Sequence, residues 1–202
     1  MDLKLGFLAS HEGSNVKAIL NNINNNSLIA EPKIIISNNP YANVLNIAKK
    51  KNVPGYCMNT KNYPKKYSSL EKAILNNFIE NDVNIIVLAG YLKPIGKNIL
   101  SHYHNHILNI HPSLLPKYGG KGMYGSVIHK AVIDSDDKES GATIHIVTQE
   151  YDQGPIIAQC KVPRYKNDTV ETLAARVLKF EHVFYSQTLR DIQQDLINLE
   201  EF

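Results

Sequence analysis

Apolar residues recur along this chain in two rhythms. Short apolar runs at residues 3–9, 33–37, 55–58, 85–89 and 107–108 predict strands, and the five in a row from Ile85 to Ala89 suit a strand covered on both faces. Between them the spacing lengthens to three or four. Val16, Ile19, Leu20 and Ile23 form one such stripe; Ala42, Leu45, Ile47 and Ala48 mark another within 41–51. A third lies within 67–81, where Leu70, Ile74, Leu75, Phe78 and Ile79 share a face. A short helix is expected after Ile95, and a further one over 126–133 with Val127, Ile128, Ala131 and Val132. Residues 143–147 alternate with period two and 156–160 begin another strand, so a hairpin turns over 150–155. Asp168 with Glu171 three positions on reads as a capping box. It opens a last helix running to about residue 199, with room for one break, whose inward side is marked by Leu173, Val177, Phe180, Phe184 and Leu189.

Strands alternating with helices define an α/β protein: a Rossmann-like, largely parallel sheet with helices on both faces, a C-terminal β-hairpin and a long terminal helix. Such sheets bind ligands beyond the carboxyl ends of their strands. Three features leave strand ends here. The first is the loop Gly13-Ser14-Asn15, whose backbone N–H groups favour an anion at a helix N-terminus. The plainer alternative is that Ser14 or Asn15 caps the helix; a shared position with the other two features favours the anion. The second is the segment 90–95. The third is Asn109 and His111, two apart and so on one face of a strand, followed by Pro112-Ser113-Leu114-Leu115-Pro116, which forces a fixed loop. An amide can steady an oxyanion and an imidazole can move protons near pH 7. Asp152, on the hairpin turn, could pair with His111, hold its ring and raise its pKa. His145 shares a face with Thr143 and Val147, which on spacing alone suits a structural group more often than a catalyst. Residues 116–125, rich in glycine, form a mobile loop beside the site.

Composition narrows the field modestly. With 202 residues, 43% hydrophobic and 20% charged, a single domain with a substantial core is expected. A net charge of +3 gives little reason to expect nucleic acid, and the short lysine runs 49–51 and Lys61, Lys65, Lys66 suit solvated faces. Cys57 and Cys160 lie far apart, which suits free thiols and a reducing cytoplasm. Neither a signal peptide nor an apolar stretch of the ~20 residues needed to span a membrane is visible. His102, His104 and His106 invite a metal reading, but no carboxylate or cysteine accompanies them, and an exposed turn is preferred.

The octapeptide 109–116, the Gly13-Ser14-Asn15 loop, residues 87–92 and residues 152–157 together resemble the phosphoribosylglycinamide formyltransferases, the folate-dependent family of purine synthesis. The resemblance covers nearly the whole chain, in order. The octapeptide is shared with methionyl-tRNA formyltransferase and formyltetrahydrofolate hydrolase; the phosphate-suited loop, and 202 residues that leave no room for those enzymes' extra domains, favour the purine family.

The resemblance implies a catalytic trio of Asn109, His111 and Asp152. It implies a subsite for the ribosyl-glycinamide and its phosphate at Gly13, Ser14, Asn15 and Glu181, and folate contacts from Lys66, Leu92, Lys93, Pro94, Ile95 and Asn109. His145 falls near the site. The co-substrate would be 10-formyltetrahydrofolate, with no metal, and the partners small molecules only, with neither nucleic acid nor membrane. The assembly would be a monomer or weak homodimer. Within one domain, residues 1–108 would serve mainly the phosphate substrate and 109–202 mainly folate and catalysis. The chain departs from the family at His11-Glu12, where another glycine is usual, at Lys66, where arginine is common, and in the loop 119–125. The competing class is a binding module, a folate or phosphate-sugar sensor with a dead site.

Overall fold

The computed structural model describes residues 1–135 and 137–202. Seven strands form one sheet in the order β3-β2-β1-β4-β5-β6-β7. They are β1 (Leu3–Leu8), β2 (Ala30–Ser37), β3 (Gly55–Cys57), β4 (Ile85–Leu88), β5 (Ile107–His111), β6 (Glu139–Ile146) and β7 (Ile156–Pro163). The first five pair in parallel, and β6 and β7 add antiparallel ladders. This is the expected Rossmann-like sheet with its closing hairpin. Strand order reverses between β1 and β4, which opens a crevice at their carboxyl ends.

Period-two alternation sends the strands' apolar residues to two separate cores. Leu5, Phe7, Ile35, Val87, Leu108 and Ile110 face helices α1 (Ser14–Asn24), α2 (Asn43–Lys50) and α6 (Val170–Gln193). Leu8, Ile34, Ile36, Ile86 and Ile107 face α3 (Leu70–Glu80) and α4 (Lys97–His102). Asn109 and His111 share the parity of Ile107 and so stand on the second face. In the ladder, Asn109 lies opposite His145 and His111 opposite Thr143. Four polar side chains thereby gather where the second core gives out. Helix α5 (Ser126–Asp134) follows the glycine-rich loop.

Several helical stripes turn out narrower than expected. Ile79, Val127 and Phe180 are exposed, because each sits at the margin of its apolar face. The inward aromatic of α6 is Tyr185, fully buried, whose hydroxyl donates to the carbonyl of Leu108 at 2.9 Å. The cap of α6 is also different. Thr169 and Thr172 form the capping box, and Asp168 is drawn away by Arg176, with Arg176 Nη1 2.7 Å from its Oδ2. The final helix does break: α6 ends at Gln193 and a single 3-10 turn follows at Leu199–Glu201. Tyr103, between two of the clustered histidines, is buried edge-on against Phe78, while residues 103–105 form the expected turn. Among the described residues, no helix is long and apolar enough to cross a membrane.

Candidate active site

A cavity of about 900 Å³ opens at the carboxyl ends of β1, β4 and β5. Gly13, Ser14, Asn15, Leu92 to Ile95, Asn109, His111, His145, Asp152 and Glu181 all line it. Lys66 does not. Its ammonium is 3.4 Å from Glu80 Oε1 on α3 and lies over the Tyr67 ring, a solvent-exposed pairing.

One wall is made of backbone. Gly13 takes the N-cap position of α1 at φ +68°, so the cap reading of Ser14 or Asn15 fails: they are the first two helical residues, and no side chain caps the helix. The N–H groups of that first turn are left open to an anion. Glycine is required twice over, by its left-handed φ and because a Cβ would stand 2.5 Å from Val44 Cγ2. Beneath the loop, buried Asn15 donates from Nδ2 to Glu181 Oε2 at 2.7 Å. Its Oδ1 has no partner among the described residues and is free to accept from a ligand. Burial pushes the Glu181 carboxyl up in pKa, and the Asn15 bond offsets part of that.

The opposite wall is made of side chains, each oriented by a second group. His145 donates from Nδ1 to the Ile146 carbonyl at 2.9 Å, which leaves Nε2 to accept from Asn109 Nδ2 at 3.1 Å. One Asn109 N–H is thus used for orientation and the other is left for a ligand. His111 donates from Nε2 to the Tyr118 carbonyl at 2.8 Å. A carbonyl can only accept, so Nε2 carries the proton and Nδ1 is the nitrogen that faces Asp152, 3.4 Å from its Oδ2. Asp152, itself at φ +56°, also accepts from the Gly120 N–H at 2.9 Å.

The expected rise in the His111 pKa is not found. The residue is 4% exposed, and burial pushes its pKa down by more than Asp152 and the Tyr118 carbonyl push it up. His111 therefore stands neutral near pH 7, with a free lone pair on Nδ1. Asp152 behaves differently: burial opposes its charge, but the Gly120 N–H and the two neighbouring histidines, whenever those rings are protonated, hold it below the usual carboxylate range.

Tyr91 and Ile95 pack on the second core, while Leu92 is 45% exposed at the cavity. The segment is anchored by Ser10, buried, whose hydroxyl accepts from the Leu92 N–H at 3.0 Å and donates to Asn38 at 2.6 Å. Ser10, the Tyr118 carbonyl and the Gly120 N–H escaped the sequence reading. Two act through backbone atoms, which every residue carries, and the third is a lone serine; the only signal was the run of glycines near Tyr118. The octapeptide loop is held by more than its prolines: Thr143 donates to the Ser113 carbonyl at 2.7 Å and accepts from the Leu115 N–H at 3.0 Å.

A neutral imidazole, a free amide N–H and a charged carboxylate thus face an anion-ready helix end across one cavity, an arrangement suited to acyl transfer onto an anionic small molecule. The chain belongs to the formyl transferase family, whose model matches residues 3–189. It is 33% identical to phosphoribosylglycinamide formyltransferase of Bacillus subtilis, with 94% of each chain covered. It is 37% identical to the chloroplastic phosphoribosylglycinamide formyltransferase of Vigna unguiculata, covering 96% of this chain and 62% of that protein's length. Among solved structures, glycinamide ribonucleotide transformylase 1 of Symbiobacterium toebii superposes with a TM-score of 0.87 at 31% identity, covering 96% of this chain and 89% of that one.

Proposed function

We propose that this chain transfers the formyl group of 10-formyltetrahydrofolate to the amine of 5-phosphoribosyl-glycinamide, a step of de novo purine synthesis. The observation that carries the reading is the pairing of His111 and Asp152 at 3.4 Å within the same cavity as the open α1 N-terminus. The phosphate would sit on the N–H groups after Gly13, and the ribosyl-glycinamide on Asn15 Oδ1 and Glu181. The folate would lie along Leu92 to Ile95; Lys66 could join it only by releasing Glu80. Each subsite then draws on both halves of one domain, since Glu181 lies in the second half and Leu92 to Ile95 in the first.

The chemistry follows from the assigned protons. The amine nitrogen attacks the formyl carbon, and the carbonyl electrons move to oxygen. The free N–H of Asn109 donates to that oxyanion. His111 Nδ1 takes the proton released by the attacking nitrogen, and the nearby Asp152 carboxylate stabilises the imidazolium. The same proton passes to the folate nitrogen as its bond to the formyl carbon breaks and the carbonyl reforms. The formyl group has moved one way and one hydrogen the other. The free thiols of Cys57 and Cys160 support action in a reducing, cytoplasmic compartment.

Tetrahydrofolate release, followed spectrophotometrically with and without the ribosyl-glycinamide, tests the proposal. Transfer requires the amine. Release at the same rate without it would make the chain a hydrolase, and no release under either condition would make it a binding module.

A further inference from the structure

Lys117 and Tyr118 reach away from the cavity to a residue that does not line it. Asp137, between α5 and β6, accepts from Lys117 Nζ at 2.7 and 2.6 Å and from the Tyr118 hydroxyl at 2.6 Å. The Ser113 hydroxyl holds the Lys117 carbonyl at 2.9 Å, and Tyr118 packs against the small apolar cluster that contains Val132 and Leu173. Between these anchors the Tyr118 backbone sits at φ +60°. That conformation is uncommon for a bulky residue and persists only where its surroundings impose it. Its consequence lies on the other side of the chain, where the Tyr118 carbonyl is aimed at His111 Nε2 at 2.8 Å.

We propose that Asp137 is a positioning residue that, through Lys117 and Tyr118, locks His111 in the tautomer protonated at Nε2. A neutral imidazole carries one proton, and the nitrogen whose hydrogen is bonded decides which lone pair is free. With the Tyr118 carbonyl in place, Nδ1 is unprotonated and faces Asp152. Without it, either nitrogen can hold the proton, and a proton on Nδ1 is drawn toward the Asp152 carboxylate. Such an imidazole has no base to offer the cavity. Asp137 thus controls the chemistry of a ring it never touches, from a side chain that is 30% exposed. The kinetic consequence, though not the tautomer itself, rests on the proposed role of His111 as proton carrier.

The test is a long-range 15N–1H spectrum of the histidine rings in the full chain, with His111 assigned from its loss in His111→Asn. In the unaltered protein His111 gives the Nε2–H pattern. Asp137→Ala is expected to turn this into a mixture of tautomers, and to lower kcat on the order of tenfold with both KM values within about twofold. Asp137→Glu is expected to restore part of both. Tyr118→Phe removes one anchor and keeps the carbonyl, so it shifts spectrum and kcat in the same direction by less, and it supplies the measurement should Asp137→Ala not fold. An unchanged Nε2–H pattern in Asp137→Ala, or in Tyr118→Phe where that is the variant that folds, overturns the proposal. A changed tautomer with unchanged kcat upholds the lock and instead removes His111 from the proposed reaction.

Discussion

The two walls of the cavity are built by opposite means. Across from His111, the Gly13 turn offers backbone N–H groups that no neighbouring side chain can remove, and the exposed Glu12 lines the same cavity beside it. On the Asn109 and His111 side, every working atom belongs to a side chain, and each is aimed by a second partner: His145, Tyr118, Gly120. A backbone wall is robust to its neighbours and intolerant at one glycine. A side-chain wall is chemically richer and depends on residues far from the reaction.

Substitutions should separate the two. The largest effect is expected from His111→Ala, where loss of the proton carrier lowers kcat by about a thousandfold and leaves both KM values nearly unchanged. Near-normal turnover would remove His111 from the chemistry. Asn109→Ala should lower kcat on the order of a hundredfold, as loss of one oxyanion donor does; a change confined to KM would make Asn109 a binding residue. On the other wall the kinetic signature inverts. Gly13→Ala forces a Cβ toward Val44 at a positive φ, and should raise the KM of the phosphorylated substrate about tenfold, equivalent to ~1.4 kcal/mol of binding, with kcat little changed. An equal fall in kcat would mean that the walls are not independent.

Away from both walls, Arg176→Ala removes two hydrogen bonds to the part-buried Asp168 carboxylate and should cost about 1 kcal/mol of stability in denaturant unfolding, with kcat unaffected. The smallest effect is in pH. His111 must be neutral to act, and burial holds its pKa below the ordinary 6.5, so the acid limb of kcat/KM should fall below pH 6.5. Asp152→Asn withdraws an influence that raises the His111 pKa, so the limb should move lower still as kcat drops. Folding stability follows the same groups. His111, His129 and His182 all have depressed values, so unfolded chains take up protons first, and stability is lost as pH falls from 6.5 through the depressed folded values.

The elements were legible because burial on two faces writes itself into apolar spacing. The sheet, its hairpin and the long last helix follow from that pattern, and the two-residue spacing of Asn109 and His111 put both on one face. Margins were less legible. Ile79, Val127 and Phe180 fit a helical stripe as well as their neighbours do, and only the shape of the opposing surface leaves them exposed. The Asp168 and Glu171 box failed for a related reason. An arginine two turns into the helix outcompetes a backbone N–H for a carboxylate, and a local motif cannot weigh that competition.

By itself the sequence determined which residues could do chemistry and along which strand ends they would stand, since side-chain parity and turn residues are local properties. It could not determine in what state they stand. That His111 is neutral, that its proton sits on Nε2 and that Gly13 rather than Ser14 opens the helix were decided only by the tertiary structure. Burial, a carbonyl from a turn seven residues on and the close approach of Val44 set those outcomes, and each is a distance between groups that the chain order does not contain.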